Sequence, residues 1–182
     1  MADVYIIGSY STRFQKWPDK SFKDLTREAY LGVLDDSGLD NGDEIEIAYF
    51  GNCGLGTFGQ PCIRGQVCFT PLVQEGLFPE RVPTVNVEDA CATSSVAMNG
   101  AWKDILSGQS HLAIAMGVEK TYVPDDPAAT MELFAGGIDQ LDPEVWQTHY
   151  REQGEAMGKP FETGPGRTIF MDTYAMQASH HM

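Results

Sequence analysis

The residue with the clearest chemical potential is Cys91, which follows a short apolar segment and opens a run of small side chains. Residues 83–87 are typical of a β-strand, and the turn at 88–91 leads into a helical pattern that extends to about Ser107. A cysteine at a strand-to-helix turn lies near free backbone N–H groups and the positive end of the helix, which stabilise a thiolate. The same N–H groups can support an oxyanion on an attacked acyl carbon. This arrangement indicates a nucleophile for acyl transfer.

A structural role for Cys91 is the alternative. A free cysteine is a small apolar residue that is often buried, and strand-to-helix turns with small side chains occur in many folds. Position alone therefore leaves both roles open. Glu88 and Asp89 would oppose thiolate formation if they were close and unpaired, so we expect them to point away or to accept hydrogen bonds from backbone N–H groups.

The elements around Cys91 alternate between strands and helices. Four apolar segments predict strands, at residues 4–7, 45–50, 83–87 and 112–116. Helical patterns lie between them, at residues 21–37, 60–75 and 91–107. This order implies crossover connections and a mainly parallel sheet that is covered by helices on both faces, which defines an α/β fold.

Individual residues sharpen these helix predictions. Ser21 fits the N-cap of the first helix and Gly38 fits its C-terminal stop. Pro71 is expected to split or end the second helix. In the third helix the predicted core-facing stripe consists of Val96, Ala101, Trp102 and Ile105.

The character of the sequence changes after residue 120. Residues 121–168 combine prolines, glycines, scattered aromatic residues and acidic groups with weak periodicity, which predicts an insertion or lid-like subdomain. Residues 168–182 regain a helical pattern and stop without a cap, so we expect a truncated polypeptide. The predicted division is an α/β core at 1–120 and, at 121–182, a loop insertion with the start of its helix.

Composition limits the classes of function. The 182 residues are 42% hydrophobic, which is enough for one compact domain. A net charge of −14 argues against nucleic-acid binding and against an anionic membrane surface. No signal-peptide pattern and no apolar stretch of membrane-spanning length occur, so we expect a cytoplasmic protein. The four cysteines form no CxxC pair, which argues against a metal site and a disulfide framework.

Two motifs resemble those of thiolases. They are Val-Glu-Asp-Ala-Cys-Ala-Thr-Ser-Ser-Val-Ala-Met at 87–98 and Ala-Met-Gly-Val-Glu-Lys at 115–120. The closest subtypes are the sterol-carrier-protein-2 type and the archaeal acetyl-CoA acetyltransferase type. The order of elements, including the Gly-rich loop at 51–59 and the late helix near residue 168, is also similar. The resemblance implies the N-terminal half of a thiolase: a mixed five-stranded α/β domain with a loop-domain insertion. A second, similar half would complete a five-layer α-β-α-β-α sandwich.

The resemblance also implies a mechanism. Cys91 would take an acyl group from an acyl-CoA and pass it to the carbanion of a second acyl-CoA, or to CoA in the degradative direction. The CoA thioester is a substrate, and no further cofactor or metal is implied. In the family, the activating histidine and the second base lie in the C-terminal half, in Gly-His-Pro and Cys-x-Gly motifs. Neither motif occurs in this chain, so we expect no turnover by the chain alone. Cys53, in an Asn-Cys-Gly-Leu-Gly run of the wrong half, is expected to be a loop or core cysteine.

Several further residues are weaker candidates. Met171 is similar in position to a methionine that borders the acyl pocket of thiolases, although a core role is equally open. Glu119 and Lys120 match the family signature and are expected to be structural. The remaining candidates are four arginines that could meet CoA phosphates and four histidines expected to be packing or surface residues: Arg64, Arg81, Arg151, Arg167, His111, His149, His180 and His181.

The resemblance further implies partners. These are a C-terminal thiolase half in the same or a separate chain, a homodimer or tetramer, and, for this subtype, a small zinc-bearing OB-fold protein. Two rival functions remain open. One is a non-thiolytic superfamily member, either a retro-aldolase or a CoA-binding scaffold subunit. The other is a ketoacyl synthase of the fatty-acid type; the Gly-Val-Glu-Lys run at 117–120 and the long insertion favour a thiolase over it.

Overall fold

The computed structural model describes residues 3–124, 126–160 and 168–182. Its helices are α1 (Phe22–Ser37), α2 (Arg64–Gln74), α3 (Thr93–Ser107), α4 (Pro127–Ala135), α5 (Pro143–Ala156) and α6 (Ile169–His181). Its strands are β1 (Ile47–Gly51), β2 (Thr84–Val87) and β3 (Ala113–Gly117), and short 3-10 turns cover Gly54–Phe58 and Ala90–Ala92. Backbone contacts divide the chain into two compact units, Met1–Leu133 and Phe134–Met182, which are described separately.

The first unit is built on a parallel sheet in the order β2-β1-β3. Gly51 at the end of β1 is level with Val87 on one side and Gly117 on the other, so the three strands end at one edge. Side chains alternate along β1. Phe50 lies on the face covered by α2, whose Gly65 approaches it, and Tyr49 lies on the other face, against Gly100 of α3. The predicted α/β architecture, with helices on both faces, is confirmed.

The prediction of a mixed five-stranded sheet is not confirmed. The described residues form three strands, and all their pairings are parallel. Residues 4–7 form no strand, and the side chains of Tyr5 and Ile6 are 74% and 71% exposed. An apolar segment becomes a strand only where a neighbouring strand satisfies its N–H and C=O groups, and no described residue pairs with this segment.

Helix α1 has the predicted boundaries. Ser21 and Asp24 form a capping box, in which the Ser21 hydroxyl accepts a hydrogen bond from the Asp24 N–H at 3.2 Å and the Asp24 carboxylate accepts one from the Ser21 N–H at 2.8 Å. Gly38 ends the helix with φ 72°, a conformation that favours glycine. Leu25, Tyr30 and Leu34 of α1 are buried in the hydrophobic core, which also contains Ala48 and Phe50 of β1.

Helix α2 contradicts the prediction that Pro71 splits or ends it. The helix begins at Arg64 and continues through the proline to Gln74. Phe69 and Leu72, on either side of Pro71, are 2% and 0% exposed. Burying two large apolar side chains stabilises the helix by several kcal/mol, which offsets the cost of about 3 kcal/mol for a proline in a helix interior.

Helix α3 ends at Gly108 as predicted, but of its predicted core-facing stripe only Ala101 is buried, and Ile105 is half-buried. Val96 and Trp102 are 37% and 45% exposed, whereas the buried residues are Thr93, Ala97 and Ala101. The helix thus approaches the sheet through small side chains at a spacing of four. The sequence pattern favoured the larger apolar residues, although close helix–sheet packing needs small ones. The region predicted to be irregular also contains two helices, α4 and α5.

Gly65 supplies a stability test of the α2–sheet contact. A Cβ at this position would lie 2.6 Å from Phe50 Cβ and 2.7 Å from Thr84 Cγ2, both of which are held by the sheet. We expect Gly65→Ala to destabilise the fold by about 2 kcal/mol through overpacking. Urea unfolding measures this. Gly56→Ala is the matched control, because the nearest atom to a Cβ at that position is Pro61 Cα, 3.8 Å away. Equal unfolding free energies for the two alanine variants would refute the close α2–sheet contact at Gly65.

Candidate active site

The segments that follow the three strands meet at one edge of the sheet. Asn52 and Cys53 follow β1, residues 88–91 follow β2, and Glu119 follows β3 shortly after Gly117. The carboxyl edge of a parallel sheet is the usual place for binding and catalytic groups in α/β proteins. The candidate site is therefore assembled from residues that are far apart in sequence.

Cys91 lies in the 3-10 turn Ala90–Ala92, which runs directly into α3, and its side chain is exposed. Ala90, immediately before it, has φ 44°, in the left-handed region that non-glycine residues rarely adopt. Such strain clusters at functional sites. The turn presents the sulfur to solvent at the N-terminal end of α3.

The two acidic residues before Cys91 were expected to point away or to accept hydrogen bonds from the backbone. Glu88 does the latter, since its Oε1 accepts from the Ala90 N–H at 2.6 Å. The carbonyl oxygen of Asp89 accepts from the Ala92 N–H at 2.8 Å. These bonds fix the backbone on both sides of the strained residue.

Thr93 holds the turn together from the first residue of α3. Its Oγ1 donates to the Ala90 carbonyl at 2.7 Å and accepts from the Asp89 N–H at 2.9 Å. Its methyl group lies where a side chain on Gly51 would be, since a Cβ there would approach it to 2.8 Å. Thr93 thus connects the cysteine turn to the end of β1, and only glycine at position 51 allows that approach.

Cys53 lies beside the Cys91 turn rather than in the core. Its Sγ donates to the Ala90 carbonyl oxygen at 3.2 Å and contacts Thr93 Oγ1 at 3.0 Å. Partial burial raises the pKa of the Cys53 thiol, the hydrogen bond with Thr93 acts in the opposite direction, and the charge of Glu119 raises it further. The thiol form of Cys53 is therefore the stable one.

Asn52 and Glu119 link the ends of the strands. Asn52 is fully buried; its Nδ2 donates to the Val118 carbonyl at 2.6 Å, and its Oδ1 accepts from the Leu55 N–H at 2.9 Å. The Glu119 carboxylate accepts from the N–H groups of Cys53 and Gly54, the latter at 3.1 Å. Desolvation raises the pKa of Glu119, although these two N–H groups act against it. This contact pattern agrees with the structural role expected for Glu119.

The other candidates lie elsewhere. His111 precedes β3 and so lies at the opposite edge of the sheet from Cys91; its backbone N–H donates to Glu46 Oε2 at 2.6 Å. Arg81 donates to the carbonyl oxygens of Asp43 and Ile45. Arg64 is closer to the candidate site, because it donates to the Asn52 carbonyl oxygen.

The second unit contains the remaining candidates. Met171 lies on α6 and is 63% exposed, so a core role within this unit is excluded, and its assignment to an acyl pocket stays a prediction. His149 packs edge-on against Trp146 within α5. His180 and His181 end α6, and Arg151 lies on α5. Arg167 lies outside the described residues.

Two residues of the site were missed by sequence reasoning, Thr93 and Asn52. The run of small side chains after Cys91 does not single out Thr93, although a hydroxyl two positions after the candidate nucleophile is a usable signal. Asn52 follows a buried strand, where an amide must find partners. In the parts of the chain that the structure describes, no helix is long and apolar enough to cross a membrane, and no cluster of His, Cys, Asp or Glu could hold a metal ion.

The fold and the site define an α/β domain with an exposed cysteine at the carboxyl edge of a parallel sheet, where a strained turn enters a helix. Comparison with known families assigns this arrangement. Residues 4–135 match the family described as thiolase, N-terminal domain, and the chain belongs to the thiolase family.

Three characterised-family relatives are similar to this chain over part of their length. Acetyl-CoA acetyltransferase of Methanothermobacter thermautotrophicus is 32% identical over 184 residues, which covers 100% of this chain and 40% of the relative. Acetyl-CoA acetyltransferase of Methanocaldococcus jannaschii is 35% identical over 120 residues, covering 66% of this chain and 29% of the relative. The benzoylsuccinyl-CoA thiolase subunit BbsB of Thauera aromatica is 34% identical over 116 residues, covering 64% of this chain and 28% of the relative. The chain thus spans less than half the length of these relatives.

Proposed function

We propose that this chain is the nucleophile-bearing half of a thiolase-type acyltransferase, in which Cys91 forms the acyl-enzyme. The observation that carries the proposal is the exposure of Cys91 in a strained turn at the N-terminal end of α3, in a chain that belongs to the thiolase family. Two of the relatives are named acetyl-CoA acetyltransferase, which supports an acyl-CoA as the substrate. The overall reaction is a Claisen condensation or the thiolytic cleavage of a 3-ketoacyl-CoA.

The first chemical step uses the geometry of the turn. The Cys91 thiolate attacks the thioester carbonyl carbon, and the resulting oxyanion collapses with the loss of CoA as a thiolate, which leaves an S-acyl cysteine. The positive N-terminal end of α3 lies at the turn that carries Cys91, where negative charge develops on the attacked carbonyl in this step. Thr93 and Glu88 hold the backbone of the turn and so keep the Cα of Cys91 in one position.

No histidine of the first unit is placed to accept the proton of Cys91. The only histidine in residues 1–133 is His111, and it lies at the opposite edge of the sheet. Cys53 is a poor base in this role because its thiol form is stabilised. We therefore propose that activity requires a C-terminal thiolase half, in the same or a separate chain, that supplies the base.

The finer features implied by the resemblance belong to the same proposal. They are a CoA thioester as the substrate without a further cofactor, Met171 at the acyl pocket, a homodimer or tetramer, a zinc-bearing OB-fold partner, and a cytoplasmic location. The −14 net charge adds one requirement, because an anionic CoA needs local cationic groups at its phosphates. Of Arg64 and Arg81, which both belong to the first unit, Arg64 lies closer to the candidate site and is the first to test.

The direct test is covalent labelling. The assembly purified through an affinity tag on this chain is incubated with carbon-13-labelled acetyl-CoA, quenched in acid and mapped by peptide mass spectrometry. We expect one labelled acetyl group on the peptide containing Cys91. Cys62→Ala, which removes another exposed cysteine, is expected to label normally. Labelling that survives Cys91→Ala, or that maps to a different cysteine, contradicts the proposal.

Thr93 provides a second test, of positioning rather than of chemistry. Thr93→Val keeps the shape but removes the hydroxyl that bonds Ala90 and Asp89, which we expect to cost about 1–3 kcal/mol in unfolding free energy. We also expect slower acetylation of Cys91 in the labelling assay, because the turn is no longer held. Thr93→Ser restores the hydroxyl and is expected to recover the rate. Equal rates of Cys91 acetylation in the Thr93→Val and Thr93→Ser variants would show that the hydroxyl does not position the nucleophile.

A further inference from the structure

We propose that Cys53 and Cys91 form an intramolecular disulfide when the protein meets a hydroperoxide, and that this bond withdraws the Cys91 sulfur from acylation. The bond itself depends only on the geometry of the two cysteines. Its consequence for acylation rests on the proposed function.

The contact between Cys53 and the Cys91 turn carries the inference. Cys53 Sγ lies 3.2 Å from the carbonyl oxygen of Ala90, the residue bonded to Cys91. A peptide carbonyl oxygen lies about 2.8 Å from the Cα of the following residue. Cys53 Sγ is therefore within about 6 Å of the Cα of Cys91. The Cys91 sulfur itself lies about 2.8 Å from its own Cα, so rotation about the Cα–Cβ bond of Cys91 can bring the two sulfurs to within about 3–4 Å, and rotation of the Cys53 side chain can supply the rest of the approach to the S–S bond length of about 2.0 Å.

The surroundings favour this pair over the other cysteines. Cys91 is exposed, so a small oxidant reaches it, and Cys53 is partly buried beside it with one face on Thr93. Cys68 is 1% exposed in the core cluster, on the α2 side of the sheet rather than at its carboxyl edge. Cys62 lies in the segment before α2 and provides an exposed comparison.

The chemistry proceeds in two balanced steps. The Cys91 thiolate attacks the hydroperoxide, the O–O bond breaks, and the products are a sulfenic acid and water or an alcohol. The Cys53 sulfur then attacks the sulfenic sulfur and loses its proton, the S–O bond breaks, and the second product is water. Two electrons have passed from the thiol pair to the peroxide. Because partial burial raises the pKa of the Cys53 thiol, oxidation begins at Cys91 and Cys53 resolves it.

The experiment uses the full chain and hydrogen peroxide, without any acyl-CoA. The dilute protein is oxidised, its free thiols are blocked, and it is digested with trypsin without reduction. Trypsin places Cys53 with Cys62 in residues 28–64, Cys68 in residues 65–81 and Cys91 in residues 82–103. We expect a linked peptide of 28–64 and 82–103, the loss of two hydrogen masses from the intact protein, and full recovery with dithiothreitol. Titration should show the four thiols falling to two.

Variants identify the partner of Cys91. Cys53→Ser is expected to abolish the linked peptide, and Cys62→Ser is expected to retain it. Circular dichroism verifies that both variants are folded. If Cys53→Ser does not fold, Cys53→Ala replaces it in the experiment. A link that persists without Cys53, a link that needs Cys62, or oxidation that stops at a sulfenic or sulfinic acid on Cys91 overturns the proposal. The acetyl-labelling assay is run separately on oxidised and reduced assembly. If the disulfide forms but the reduced assembly takes no label, the proposed function fails and the disulfide stands.

Discussion

Replacing Cys91 by alanine is expected to lower acyl transfer by the complete assembly by at least about 10⁴-fold, because the loss of a nucleophile removes the covalent route altogether. The measurement is the rate of 3-ketoacyl-CoA cleavage, followed by the decrease of its absorbance after addition of CoA. The substitution removes one exposed sulfur from a surface turn, so the free energy of unfolding should change by less than about 0.5 kcal/mol. A large loss of activity without a loss of stability separates chemistry from folding.

Two variants sharpen this result. Cys91→Ser keeps the size of the side chain but supplies a hydroxyl, whose far higher pKa leaves almost no anion at neutral pH; we expect a loss of similar order. Cys62→Ala removes a second exposed cysteine and is expected to retain the rate of the parent protein. Retention of activity in Cys91→Ala within the complete assembly would exclude the thiolase mechanism, even though the chain belongs to the family.

The position of Cys91 could be predicted from sequence because its causes are local. A strand of apolar residues, a short turn and a helix follow each other without interruption, so the cysteine had to lie at a helix start. The boundaries of α1 were predictable for the same reason: Ser21 and Gly38 act through the backbone of adjacent residues. Local signals of this kind do not depend on what the rest of the chain does.

The contacts of Cys53 could not be predicted, because their cause is the pairing of distant segments. Cys53 follows β1 and Cys91 follows β2, and the register between Gly51 and Val87 brings the two loops together. Sequence spacing contains no trace of that register. The expectation that Cys53 is a loop or core cysteine described its own segment and missed its neighbour across the sheet edge.

The incorrect details have the same origin. Residues 4–7 have the composition of a strand, but a strand is defined by its partner, and no described residue supplies one. Pro71 is a helix breaker by local rules, yet α2 continues because Phe69 and Leu72 are buried. In α3, the larger apolar residues Val96 and Trp102 were expected inside, whereas the close approach of the helix to the sheet selects alanine at positions 97 and 101.

The edge of the sheet that carries the candidate nucleophile also contains several hydrogen bonds between side chains and the backbone. Glu88 and Thr93 hold the turn of Cys91, and Glu119 holds the loop of Cys53. The carboxylates of Glu88 and Glu119 lie at this edge of the sheet, and each is already engaged with backbone N–H groups. Such hydrogen bonds reduce the repulsion that a free carboxylate would exert on a nearby thiolate, which is compatible with the nucleophilic role proposed for Cys91.

Asn52 is the residue on which this edge depends most for stability. Its fully buried amide bonds the Val118 carbonyl after β3 and the Leu55 N–H after β1. Asn52→Leu has nearly the same volume but leaves both partners buried without a hydrogen bond, at a cost of about 1–3 kcal/mol for each group. We expect a loss of about 3 kcal/mol in unfolding free energy and a fall in Tm of roughly 10 °C.

Asn99 supplies the matched control for this prediction. It lies on α3 and is exposed, so Asn99→Leu is expected to change the unfolding free energy by less than about 0.5 kcal/mol. Because Asn52 also shapes the loop that carries Cys53, the leucine variant should lose the peroxide-induced disulfide before it loses the fold. Thermal unfolding by circular dichroism, run beside the peptide mapping, tests both effects. Equal Tm values for the two leucine variants would show that the strand ends are held by other contacts, and the link between the three loops would then have to be sought in Thr93 and Glu119.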